Sequence, residues 1–100
     1  MQRTSRKMER RTANLVGGRC QPGSGNTRHA KGDVRSSSLL IERKDTAASS
    51  YTVRVADLRR ILAQAALDGR DPVFVVGFNS VGEEYAIVPL ADYLHLRGKL

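Results

Sequence analysis

Tryptophan is absent from this chain of 100 residues, and only five aromatic side chains, three prolines and one cysteine are present. A single thiol, Cys20, excludes an internal disulfide and a thiolate zinc cage, and its default place is that of a small buried apolar residue. With so few aromatics, two of them (Phe74 and Phe78) in an apolar run, platforms for base stacking are scarce. No stretch approaches the roughly 20 apolar residues of a spanning helix, and no apolar segment follows the basic N-terminus as in a secretory signal. The expectation is a soluble, cytoplasmic protein that does not engage membranes. Acidic residues are also few, ten against seventeen Lys and Arg, for a net charge of +7. The excess is concentrated early: Arg3, Arg6, Lys7, Arg10, Arg11, Arg19, Arg28, Lys31 and Arg35 are interrupted only by Glu9 and Asp33. Such asymmetry points to a polyanionic partner. The length allows one domain, residues 1–100, with a modest core, and favours oligomerisation.

The apolar spacing sets an order of elements. Ser5 to Val16 predicts a basic helix capped by Ser5, with Met8, Thr12, Leu15 and Val16 as its stripe and Gly17-Gly18 as its stop. Arg19 to Gln21 suits a short strand, and Pro22-Gly23-Ser24-Gly25-Asn26 a loop whose free amides can approach phosphate oxygens. The Walker spacing is missing, which argues against nucleoside triphosphate binding. Gly32 to Ser36 and Leu39 to Asp45 form a hairpin about Ser36-Ser37-Ser38. Tyr51 to Val55 alternates, and Ala56 to Leu67 is the clearest helix, with Leu58, Ile61, Leu62 and Ala65 on one face and Gly69 at its end. Pro72 to Phe78 is an apolar strand buried on both faces, 79–84 a turn, Tyr85 to Val88 a strand and Ala91 to Arg97 a short helix. The result is a mixed α/β sheet flanked by helices.

The most informative residues are Glu42-Arg43-Lys44, which close the apolar run Leu39-Leu40-Ile41. In a strand, Glu42 and Lys44 share one face and Arg43 takes the other. If Gly32 to Ser36 is the antiparallel neighbour, Asp33 comes opposite that pair, giving two carboxylates for a hard divalent cation with a lysine beside them. This constellation suits metal-assisted phosphodiester hydrolysis. A Glu-x-Lys triplet arises by chance about once in a few hundred positions, so its context carries the weight. The bland alternative is a solvated ion pair on a surface strand. Oxygen donors without a Cys/His cage favour Mg²⁺ or Mn²⁺ over zinc.

Glu9 in the first helix, Arg19 with Pro22-Gly23-Ser24-Gly25, Lys31-Gly32-Asp33-Val34 and Leu40-Ile41-Glu42-Arg43-Lys44 together resemble the PD-(D/E)XK nuclease superfamily. Within it the chain is most similar to archaeal-type Holliday-junction resolvases and their phage counterparts, over Glu9 to about Tyr93. The acid stands in Gly-Asp rather than Pro-Asp, and the chain is shorter than many relatives.

The resemblance implies a restriction-endonuclease-like core of helix, three-stranded meander, helix and added strand. Asp33 and Glu42, with the backbone carbonyl of Arg43, would ligate Mg²⁺ or Mn²⁺, and Glu9 would complete the site directly or through water. Lys44 would activate or orient the attacking water, and Ser24 would join the catalytic group. Arg19, Ser24, Lys31, Arg6 and Arg10 would contact DNA. The enzyme would be a homodimer that nicks opposed strands of a four-way junction, or else a general, flap- or nick-directed DNA endonuclease. Outside the enzymes, the alternative is a basic nucleic-acid-binding protein whose acids are structural.

His29 in a basic loop and His95 near the C-terminal end suit surface or capping roles. Tyr51 and Thr46 suit DNA contact or packing equally well. Tyr85, Ile87, Leu90, Tyr93, Leu94 and Leu96 form either core or a dimer surface.

Overall fold

A computed structural model describes residues 2–20 and 33–99. The first helix, α1 (Gln2–Val16), begins three residues before the expected Ser5 cap and leads into a three-stranded antiparallel meander, β1 (Arg19–Cys20), β2 (Asp33–Arg35) and β3 (Leu39–Thr46). Helix α2 (Val55–Asp68) then crosses over to β4 (Asp71–Phe78), which runs parallel to β3, and β5 (Glu83–Ile87) pairs antiparallel to β4. A short helix, α3 (Leu90–Leu96), ends the chain's regular structure. The sheet order is β1-β2-β3-β4-β5, a mixed five-stranded sheet with three helices. A parallel pair cannot be joined by a tight turn, so the crossover helix follows from the pairing of β3 with β4.

Local chemistry accounts for the boundaries. Ser36 Oγ accepts from the backbone amides of Ser38 and Leu39 at 3.3 and 3.0 Å, which closes the β2–β3 turn with a side chain in place of a ladder bond. Gly69, at φ 69°, ends α2 in the left-handed conformation and donates its amide to Ala65 and Ala66 carbonyls. Residues 51–54 do not extend the sheet despite their alternation. Both edges of β3 are taken by β2 and β4, so Tyr51 packs its ring on Phe74 instead, at a centroid distance of 6.4 Å.

Apolar side chains cover both faces. On one, Leu40 meets Ile61 and Ala65 of α2. On the other, Ala13 of α1 meets Val34 and Ile41, with Val16, Cys20, Leu39, Val73 and Val75 packed around them. The face of α1 turned inward is Glu9, Thr12, Ala13 and Val16, spaced i, i+3, i+4 and i+7, whereas Leu15 of the expected stripe is exposed. Burial pushes the Cys20 thiol up from its ordinary pKa, and the charge of Glu9 adds to that shift. On β4, Pro72, Phe74 and Val76 are buried toward α2, while Val73 and Val75 are only half-buried toward α1. The C-terminal apolar residues are not core: α3 has no buried residue, and Leu90, Tyr93 and Leu96 are 70, 50 and 82% exposed.

Candidate metal centre

Backbone register brings the sequence motif together. Asp33 is the direct partner of Glu42 across β2 and β3, and Lys44 follows two residues later on the Glu42 face. That face is the one covered by α2. Its first turns lie over β3 because Ile61 and Ala65 pack on Leu40 lower down, and this places Arg60 over Glu42. The Glu42 side chain is only 8% exposed, and its Oε2 accepts from Arg60 Nη2 at 2.7 Å and lies 3.5 Å from Lys44 Nζ. It is therefore a buried carboxylate between two cations, unlike a solvated surface pair. Arg60 also donates from Nη1 to Asp57 at 2.9 Å, while its own side chain is half exposed. The hydrogen bond to Glu42 is the main cause that raises the pKa of Arg60 above its ordinary value.

Arg43 takes the opposite face, as strand alternation requires, and builds a second ionic cluster there. Its side chain is 1% exposed, and its guanidinium donates to both carboxylate oxygens of Asp45 (3.1 and 2.8 Å), to Glu84 on β5 (2.7 Å) and to Thr12 of α1 (3.2 Å). Arg11 reaches the other oxygen of Glu84 at 2.9 Å. Hydrogen bonds from Arg11 and then Arg43 hold the Glu84 carboxyl below the usual carboxylate range. The cluster ties α1 to the far side of the sheet without leaving a buried charge unpaired. Gly77, in register with Asp45, has no side chain to obstruct it: a Cβ there would collide with Arg43 Nη2 and Asp45 Oδ1.

The other site residues lie either elsewhere on the fold or outside the described residues. Glu9 is buried at 7% exposure on α1, which packs against the Ile41 face, so the structure does not bring it to the Glu42 face. Arg6, Arg10 and Arg19 are exposed. Ser24, Lys31, His29 and the 22–26 loop lie outside the described residues, as does Gly32. Thr46 Oγ1 accepts from the Ala48 amide at 3.0 Å, a turn-closing role, and Tyr51 packs. Among the described residues no group of three His, Cys, Asp or Glu side chains is placed to hold a metal, and no helix is long and apolar enough to cross a membrane.

Arg60 is the site residue that the sequence did not disclose. Its spacing to Asp57 (i, i+3) announces an ordinary helix-surface pair, and only the crossover of α2 over β3 aims it at Glu42. No family model, curated protein or solved structure matches the chain.

Proposed function

We propose that this protein is a divalent-metal-dependent DNA endonuclease of the PD-(D/E)XK type, acting as a homodimeric Holliday-junction resolvase. The observation that carries this reading is the register of Asp33 on Glu42, with Lys44 two residues further along the same face. Three further features support it. The helix, meander, crossover helix and parallel strand follow in the order that the resemblance implies. The exposed cations Arg6 and Arg10 on α1 and Arg19 on β1 supply sequence-independent phosphate attraction. The exposed Leu90, Tyr93 and Leu96 offer apolar area to a second copy.

The donor set fits a hard cation. Glu42 offers carboxylate oxygens and the Arg43 carbonyl would add a neutral one, the cations around Glu42 reflect the need of its buried charge for positive partners, and Asp33, opposite Glu42 in the register, would add a second carboxylate. When bound, Mg²⁺ or Mn²⁺ would polarise the phosphate and lower the pKa of a bound water. The chain's own groups do the rest. Asp33 and Glu42 would hold that cation, and Lys44, one-third exposed, reaches from the Glu42 face to offset the charge that develops on the phosphate. Arg60 neutralises Glu42 in the unloaded site, and its half-exposed chain can turn outward while Asp57 retains it.

A second reading is favoured by the same short contact. Because Glu42 already has Arg60 at 2.7 Å, a basic DNA-binding protein with structural acids also satisfies the geometry. The deciding experiment is cleavage of a labelled four-way junction and of linear duplex of the same sequence, with Mg²⁺, with EDTA and with the Glu42→Ala protein. Paired nicks in the junction alone support the resolvase. Metal-dependent cutting of both substrates would retain the nuclease and remove junction selectivity, and tight binding without any cutting would establish the second reading.

A further inference from the structure

On the same sheet face as Glu42, toward the C-terminal end of α2, a cleft of about 380 Å³ opens between the α1–β1 turn, the β2–β3 turn and the start of β4. Its walls include Gly17, Gly18, Arg19, Arg35, Ser36 and Arg70. The sheet register explains why so many cations meet there. Arg19 is the direct partner of Arg35, and Arg35 of Leu40, so both arginines stand in one cross-strand row on the side of the sheet that carries α2. Arg70, just beyond Gly69, is brought to the same place by its Nε, which donates to the Ser36 carbonyl at 2.7 Å. Among the described residues one carboxylate pairs with guanidiniums here: Asp68 accepts from Arg35 at 3.0 Å and lies 3.6 Å from Arg70. Positive charge is therefore in excess. Two of the three arginines are also held in place, with Arg35 and Arg70 only 25 and 28% exposed, so little side-chain freedom remains to be lost on binding an anion. A Cβ at Gly18 would collide with the Arg35 carbonyl, which shows how closely the turn lies against β2 to form the cleft wall.

The Arg19–Arg35–Leu40 row lies two residues from the Asp33–Glu42 row along β2 and β3, a separation of roughly 7 Å. One nucleotide of a DNA strand bridges such a step. We infer that this cleft seats a backbone phosphate of the DNA strand adjoining the reacting phosphate beside Lys44, and so sets the direction in which the strand crosses the sheet. This deepens the nuclease reading and rests on it for the identity of the neighbouring phosphate; the affinity of the cleft for a DNA phosphate stands apart from catalysis.

The test uses the full chain in EDTA, with fluorescence anisotropy of a labelled DNA duplex recorded over a range of salt concentrations. Arg19→Gln and Arg70→Gln should each lower the slope of log K against log salt by about 1, as loss of one phosphate contact requires. Arg97→Gln, at the end of α3, should leave the slope unchanged. Thermal melts of each variant report folding. Arg19 is exposed, so its variant keeps the test valid if Arg70→Gln disturbs the turn. Slopes equal to that of the intact protein in Arg19→Gln and in folded Arg70→Gln would overturn the cleft assignment while the junction cleavage result stood unaffected. Absence of any salt-dependent DNA binding by the intact protein would overturn both. A methylphosphonate one nucleotide from the cut site then locates the contact: it should weaken binding of the intact protein and have no further effect on the Arg19→Gln/Arg70→Gln double variant. Equal weakening of both proteins would overturn the placement.

Discussion

The guanidinium of Arg43 occupies the space in which a side chain at position 77 would begin. Gly77 on β4 thus serves β3, by leaving room for the one cation that joins Asp45, Glu84 and Thr12 across three elements. Gly77→Ala must displace that cation from a site where it is 1% exposed. The expected loss of stability is about 1–3 kcal/mol, the usual cost of overpacking, read from urea unfolding. Arg43→Met should cost more, about 3–5 kcal/mol, because it leaves the buried Asp45 carboxylate without its partner. An unchanged denaturation midpoint in Gly77→Ala would show that the cluster has slack.

The Glu84 carboxyl is held below its ordinary pKa by hydrogen bonds from Arg11 and Arg43. A folded-state pKa below the unfolded value of about 4.3 gives stability that is present above that value and is lost as pH falls through the folded pKa. Glu84→Gln should therefore be less stable than the parent at pH 7, and the gap should narrow in melts taken below about pH 4. A constant gap at all pH values would assign the effect of Glu84 to packing.

If the proposed nuclease reading holds, Asp33→Ala, Glu42→Ala and Lys44→Ala should each reduce metal-dependent cleavage by at least about 100-fold, the scale on which loss of one charge-stabilising group acts. DNA affinity should persist in Asp33→Ala and Glu42→Ala and fall only modestly in Lys44→Ala, since the other phosphate-contacting cations lie elsewhere. Circular dichroism distinguishes this from unfolding, which in all three variants would point to structural acids instead.

Arg60 and a divalent cation would compete for the same Glu42 oxygen. Arg60→Ala should accordingly tighten Mn²⁺ binding, measured by calorimetry on the DNA-free protein. Its effect on stability should be smaller than that of Arg43→Met, because Lys44 stays beside Glu42 and loss of the half-exposed Arg60 opens that carboxylate to water. Weaker Mn²⁺ binding would mean that Arg60 helps to build the site.

Leu90 and Leu96 are exposed on a helix with no buried residue. In a homodimer formed through this surface, Leu90→Asp/Leu96→Asp should shift sedimentation from dimer to monomer without altering the melting temperature of the isolated chain. A monomer in the unsubstituted protein would remove the dimer from the proposal.

How far the chain could be read in advance differed by element. The second helix was legible because Leu58, Ile61, Leu62 and Ala65 repeat at helical spacing before a glycine, and β2–β3 was legible because Ser36 to Ser38 separates two strand-like runs. On α1 the apolar spacing points to Leu15, but a basic helix with few apolar residues turns Glu9 and Thr12 inward and leaves that leucine outside. Residues 51–54 alternate like a strand, but whether a strand forms depends on a vacant sheet edge, and that is not written locally.

By itself the sequence determined which side chains share a face. Strand alternation forces Glu42 and Lys44 to one side and Arg43 to the other, and the short Ser36–Ser38 turn allows Asp33 to face Glu42. Only the tertiary structure decided what meets those faces. Helix α2 crosses above β3 and delivers Arg60 to Glu42, while α1 packs its Ala13 against Val34 and Ile41 on the opposite face. The physical reason is that alternation is a property of the covalent backbone, whereas the placement of a helix follows from burying its apolar stripe against residues distant in the chain.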